Sequence, residues 1–175
     1  MRVLFVCTGN TCRSPAAELL ARALGPGDVE FGSAGTDARD GEPISPEIAA
    51  ALPAALDTAG FRSRRLTPAL LDVADLVLTM EAAHRVLVLD EDPALAGRVL
   101  TLGRLAELVG TVPEGLDREA RLAHLGGAHG RADPALDVPD PYRRGPEAVA
   151  ACVAQLDELL RTALRALTTT KDLAR

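Results

Sequence analysis

Short, wholly apolar runs alternate along the chain with stretches of helical periodicity. Residues 3–6, within VLFVC, have no polar face and read as a buried strand. A helix is predicted to begin at Arg13 or Ser14. Ser is a good N-cap, Pro15 suits the first turn, and Glu18 lies near the positive end of the helix. The pattern continues through AAELLARAL and stops near Gly25-Pro26-Gly27. A second strand is expected over 29–33, closed by Gly35, followed by a polar loop over 37–46. Residues 46 to about 59 read as a helix with Pro53 as a kink. A helical turn is expected at 67–72, a third strand at 74–79 (ADLVLT) and a helix at 81–89. A fourth strand follows at 99–101 and a helix at 102–109. The chain closes with a long helix over 145–167. Its apolar face is formed by Val149, Cys152, Val153, Leu156, Leu159, Leu160, Ala163 and Leu167.

Strands that alternate with helices imply a parallel sheet covered on both sides. With right-handed crossovers, this predicts an α/β fold: a doubly wound, flavodoxin-like, four-stranded parallel sheet with helices on both faces. Ligands then bind beyond the carboxyl ends of the strands, where Cys7 sits. Residues 110–136 break the rhythm, with several glycines and charges around one helical stretch near 116–125, and read as a surface excursion. One domain is expected over 1–175, with a flexible tail from about 168.

Composition narrows the function classes. The chain has 175 residues, 47% of them hydrophobic, enough to build a substantial core. Aromatics are only 2%, so that core rests on Leu, Val and Ala. A net charge of −6 argues against nucleic acid as a partner but leaves room for a small anion site. No run has the length of a membrane span and no secretory signal is visible, so no membrane partner is expected. Three cysteines are too few for a disulfide scaffold and fit reduced thiols in the cytoplasm.

The chemistry starts in CTGNTCRSP, residues 7–15. Thr8, Gly9, Asn10, Thr11 and Cys12 separate Cys7 from Arg13, a loop long enough to curl into a cup of backbone N–H groups. The start of the following helix adds its own free N–H groups and dipole. Arg13 can grip two oxygens of a tetrahedral oxyanion in fork geometry. The same field favours the thiolate of Cys7 as a nucleophile. Ser14 can donate a hydrogen bond to the sulfur when it leaves. Gly9 is expected to supply a positive φ, and the Asn10 side chain to lock the loop. A P-loop is excluded because no Gly-Lys-Ser/Thr follows, and a metal site through Cys7 and Cys12 lacks further ligands. No metal or other cofactor is expected.

CTGNTCRSP, together with FGSAG at 31–35, ADLVLTM at 74–80 and DVPDPYRR at 137–144, resembles the low-molecular-weight protein tyrosine phosphatase family. The resemblance covers nearly the whole chain outside 110–136. It implies a phosphocysteine on Cys7, with Arg13 and the loop amides holding the phosphate oxygens. The product is inorganic phosphate and the substrate a phosphorylated protein or peptide. A thiolate attack needs an acid for the departing oxygen. Asp133, Asp137 and Asp140 are candidates, and the family's Asp-Pro pair before the last helix maps onto Asp140. Tyr142 then lines the cleft mouth. Cys12 either forms a disulfide with Cys7 under oxidation or fills space behind the cup. Cys152 packs, and His84, His124 and His129 receive no role.

Substrate selectivity is carried by Thr11 and Tyr142. By resemblance, Thr11 points to the protein-arginine phosphatase branch, because tyrosine phosphatases commonly carry a bulky aliphatic there. DPYRR resembles instead the bacterial tyrosine phosphatases that act on polysaccharide-export kinases. TDARDGEP at 36–43 offers no aromatic wall but several acidic groups. The family's usual His before the Arg-x-[Leu/Val]-Thr stretch is replaced by Phe61, which leaves the partners of Asn10 and Ser33 open. Phosphotyrosine is favoured, with phosphoarginine close behind. The rival classes are a thiol-coupled arsenate reductase, for which only Cys152 is available as a downstream relay, and a non-catalytic phosphate-binding module.

Overall fold

A computed structural model describes residues 1–128, 130 and 133–168. His129 and all of the expected tail but Thr168 lie outside the described residues. The four strands are β1 (Arg2–Cys7), β2 (Glu30–Gly35), β3 (Leu76–Thr79) and β4 (Val99–Thr101). All pair in parallel, in the order β2-β1-β3-β4, as the alternating pattern implied. Side chains of β1 alternate between two cores, as the period of two demands. Val3, Phe5 and Cys7 face one layer, and Leu4 and Val6 the other.

The first layer holds α1 (Arg13–Leu24), α2 (Pro46–Ala51), α5 (Leu102–Leu108) and α7 (Pro146–Ala163), joined by Leu125 of α6 (Arg118–Gly127). The second holds α3 (Pro68–Asp72) and α4 (Ala82–Glu91), which contribute Leu71 and Val88. Val149, Cys152, Val153, Leu156, Leu160 and Ala163 form the buried stripe of α7, and Leu159 lies at its margin.

Two helix ends differ from the sequence expectation, those of α2 and α7, and α1 begins where expected but differs in its cap. α2 stops at Ala51, well short of residue 59. Leu52 takes an extended conformation (φ −73°, ψ 154°) because the ring of Pro53 disfavours a helical residue before it. α1 starts at Arg13 with Cys12 at its N-cap, and no side chain caps it. Ser14 is therefore not the cap; it lies inside the helix with its hydroxyl turned to the cup. α7 ends at Ala163 and tightens into a 3-10 turn over Leu164–Ala166.

Arg118 of α6 pairs with Asp28, just before β2, and donates to the carbonyl of Leu167. This puts α6 at the amino end of the sheet, remote from Cys7. The direction in which strands are added reverses at β1: the connection from β1 leads outward to β2, and the next strand, β3, is laid parallel on the other side of β1. The carboxyl ends of β1 and β3 therefore frame the crevice where such sheets bind ligands.

Candidate active site

The loop after β1 is turned inside out by its neighbours. The carbonyls of Cys7, Thr8 and Thr11 accept hydrogen bonds from the amides of Thr36, Asp37 and Ser45 at 2.8–2.9 Å. With these oxygens directed outward, the concave side is free of their negative ends, as an anion cup requires. The left-handed residue that makes the turn is Asn10 (φ 51°), not Gly9. Asn tolerates this region better than most residues.

Asn10 is fully buried and uses its whole amide. Its Nδ2 donates to Ser14 Oγ at 2.9 Å and to Ser33 Oγ at 2.8 Å, while Oδ1 accepts from the Arg64 amide at 2.9 Å. Ser33 in turn donates a hydrogen bond to Glu18, which is buried. The partners left open by Phe61 are thus the Arg64 main chain and Glu18, while Phe61 packs against the core. Ser14 Oγ lies 3.0 Å from Cys7 Sγ. A thiolate can only accept, so in that state Ser14 is the donor.

Arg13 lines the cup with its side chain only 2% exposed. Nη1 bonds the Val138 carbonyl at 3.1 Å and Glu81 at 2.9 Å, and Nη2 reaches Asp140 at 3.1 Å. Its Nε has no partner among the described residues. A buried guanidinium donor left unpaired is rare and marks a place for an incoming acceptor. Asp140 also accepts from the Tyr142 amide at 3.2 Å, and its side chain is 45% exposed at the cavity mouth. Asp137 is committed elsewhere: its Oδ1 accepts from Ala82 N at the start of α4, and burial raises its carboxyl pKa. Asp133 caps a 3-10 turn through the Ala135 amide.

Two groups at this site received no role from the sequence, Glu81 because it was not singled out and His84 because no partner was visible. Glu81, just past β3, holds Arg13. His84, one turn into α4, lies 2.9 Å from Thr8 Oγ1 and 3.4 Å from Glu81 through its Nε2. Burial, aided by the Arg13 charge, pushes the His84 pKa down; Glu81 and Asp140 oppose this. A neutral ring with hydrogen on Nε2 satisfies Glu81. The signal for both was positional: they follow the carboxyl end of a strand adjacent to β1.

Cys7, Cys12 and Cys152 are all free thiols. Burial raises the pKa of Cys12, and pushes that of Cys152 up to about 12, so both are held as thiols. A cavity of about 710 Å³ opens above Cys7, Arg13 and the loop, with Thr11, Asp140 and Tyr142 on its walls.

The family model described as low molecular weight phosphotyrosine protein phosphatase matches residues 2–117. The chain belongs to that family, whose members are cysteine-dependent protein phosphatases. It is 37% identical over 106 residues to a probable low molecular weight protein-tyrosine-phosphatase, EpsP, of Ralstonia nicotianae, covering 60% of this chain and 72% of that one. It is 31% identical over 164 residues to a protein-arginine-phosphatase of Bacillus subtilis, covering 92% of this chain and 93% of the other. The solved structure of the YwlE arginine phosphatase from Geobacillus stearothermophilus superposes with a TM-score of 0.75 at 27% identity, covering 99% and 96% of the two chains.

In this low-molecular-weight phosphatase the loop leaves no room behind it. A Cβ on Gly35 would overlap the Thr8 carbonyl oxygen and sit 2.9 Å from the Asn10 amide nitrogen, both main-chain atoms of the cup. Gly35→Ala is therefore expected to displace the loop. A shift approaching 1 Å at a reacting centre costs about 10²-fold in rate. Phosphate release from para-nitrophenyl phosphate, alongside urea unfolding, checks this. Full activity in a folded variant would show that the loop can retreat.

Proposed function

We propose that Cys7 is the nucleophile, Arg13 and the loop from Thr8 to Ser14 the phosphate-binding cup, and Asp140 the acid and then the base. The observation that carries this reading is the convergence of a buried thiol, an unpaired Arg13 Nε and the Asp140 carboxylate on one crevice. Cys7 Sγ attacks phosphorus, and the phosphorus–oxygen bond to the leaving group breaks as Asp140 supplies its proton. Water then attacks the phosphocysteine, Asp140 takes its proton, and the sulfur–phosphorus bond breaks to release inorganic phosphate. Loop amides and Arg13 supply the electrostatic stabilisation. We assign the enzyme to the cytoplasm, where its three free thiols stay reduced.

The substrate is a phosphorylated protein side chain, phosphotyrosine before phosphoarginine. Tyr142, 57% exposed at the cleft mouth, offers a ring face for a phenol. Phosphoarginine is supported by a different observation: Asp37, Glu42 and Glu47 line the same cavity, with Thr11 beside the cup. A hydroxyl there suits a guanidinium, where an aliphatic side chain would pack on a phenyl ring. Thr11→Ile is accordingly expected to raise the ratio of kcat/KM on phosphotyrosine to that on phosphoarginine peptides by about tenfold. An unchanged ratio would remove Thr11 from selectivity. Phosphate release measured on phosphotyrosine, phosphoarginine and phosphoserine peptides tests the class itself. Thiol-coupled turnover of arsenate without phosphate release would favour the reductase, and neither activity a binding module.

A further inference from the structure

His84 is a buried imidazole that the proposed mechanism leaves without a task. Its ring is held neutral by burial, so one nitrogen carries hydrogen and the other a lone pair. Nδ1 is buried with no partner among the described residues. Hydrogen there would be a buried, unpaired donor, whereas hydrogen on Nε2 has two acceptors in reach, Thr8 Oγ1 at 2.9 Å and Glu81 at 3.4 Å. The ring therefore donates from Nε2, and the Thr8 hydroxyl accepts. This decides where the hydroxyl's own proton goes. No second hydrogen bond to Thr8 Oγ1 is found among the described residues, and Thr8 is exposed on the wall of the cavity above Cys7. The proton is left to point into that cavity. Thr8 also follows Cys7 directly, which puts its Cα about 3.8 Å from that of the nucleophile. From the hydroxyl, polar contacts run through His84 to Glu81, on to Arg13 at 2.9 Å, and from there to Asp140 at 3.1 Å.

We propose that the Thr8 hydroxyl, oriented by His84, binds the water that attacks the phosphocysteine. The inference rests on the phosphatase reading and concerns its second step. In the first step the atom opposite the sulfur belongs to a side chain, which the rest of the substrate holds in place. In the second it belongs to a free water molecule, which the protein alone must place. Asp140 accepts one hydrogen of that water, and a donor to its oxygen fixes the orientation. The loop amides and Arg13 are committed to the phosphoryl oxygens. Of the other hydroxyls on this cavity, Ser45 donates to Glu47, Thr11 lies against the Cys12 sulfur, and Tyr142 stands at the mouth. Thr8 is the hydroxyl beside the nucleophile whose proton is unclaimed. The water oxygen bonds to phosphorus as the sulfur–phosphorus bond breaks, and that electron pair returns to Cys7. The water proton passes to Asp140, while Thr8 keeps its own. Thr8 is thus a catalytic residue of the hydrolytic step, and His84 a positioning residue that acts through it.

Rapid mixing with para-nitrophenyl phosphate separates the two steps: the burst of nitrophenol reports formation of the phosphocysteine, and the steady rate its hydrolysis. Thr8→Val removes the hydroxyl but keeps the shape and the loop amide. It is expected to leave the burst rate and kcat/KM within about twofold of wild type, and to lower the steady rate about tenfold with a matching fall in KM. His84→Leu, which frees the hydroxyl to rotate, is expected to show the same selective loss. His84→Gln, whose amide can donate in place of Nε2, is expected to recover most of it. The double variant Thr8→Val/His84→Leu is expected to be no slower than Thr8→Val alone. Thr8 is exposed, so Thr8→Val tests the step even where the buried His84 does not tolerate leucine. A steady rate within twofold of wild type in Thr8→Val, or equal losses in burst and steady rate, overturns the role of Thr8. Additive losses in the double variant overturn the positioning by His84. No nitrophenol release by wild type overturns the phosphatase reading, and this step with it.

Discussion

Cys7→Ser is expected to lower kcat on phosphopeptides and on para-nitrophenyl phosphate by about 10³-fold or more, while leaving inorganic phosphate binding within a few fold of wild type. The two halves of that expectation come from different atoms. Turnover needs an ionised nucleophile under phosphorus. A serine hydroxyl stays protonated near neutral pH, and the hydroxyl of Ser14, 3.0 Å from the Cys7 sulfur, accepts from Asn10 and is no base. Among the described residues no carboxylate or imidazole is hydrogen-bonded to residue 7, and Asp140 is paired with Arg13. Binding, by contrast, depends on the loop amides and Arg13, whose positions are fixed by Asn10, Ser33 and Arg64. Rate measurements with calorimetric titration of phosphate separate the two. Residual activity within tenfold of wild type would mean that the sulfur is not the nucleophile.

This division also shows what the chain alone discloses. The strands were legible because each is a short apolar run, and four parallel strands with intervening helices leave few topologies. The Cys7–Arg13 cup was legible because its chemistry is local, seven consecutive residues from the end of one strand to the start of one helix. What fastens the cup was not. Asn10 bonds the Arg64 amide 54 positions away, and Arg13 meets Glu81 and Asp140 on two other loops. Nothing in the pattern around Glu81 or His84 marks them; only the crossing from β1 to β3 brings them to the crevice. The assignment of positive φ to Gly9 failed for a related reason. Glycine adopts that conformation without penalty, but Asn10 adopts it with three side-chain hydrogen bonds that a glycine cannot make.

Arg13→Lys should separate the remaining two roles a buried arginine can play. One is structural: the guanidinium ties α1 to the loops after β3 and before α7 through Glu81, Asp140 and the Val138 carbonyl. The other is to hold two phosphate oxygens at once, with Nε as the donor that the described residues leave unused. Lysine keeps the charge opposite both carboxylates, so most of the tie survives. It cannot keep the fork, because an ammonium is a single point with no second nitrogen to present to a tetrahedral anion. If the grip matters most where charge accumulates on the transferring phosphoryl group, kcat should fall by about 10²–10³-fold, the range seen when one preorganised donor is lost, with a much smaller rise in KM. Thermal unfolding should move by only a few degrees. A parallel loss of folding stability and activity would instead identify Arg13 as a strut, and the unpaired Nε would then have no bearing on catalysis.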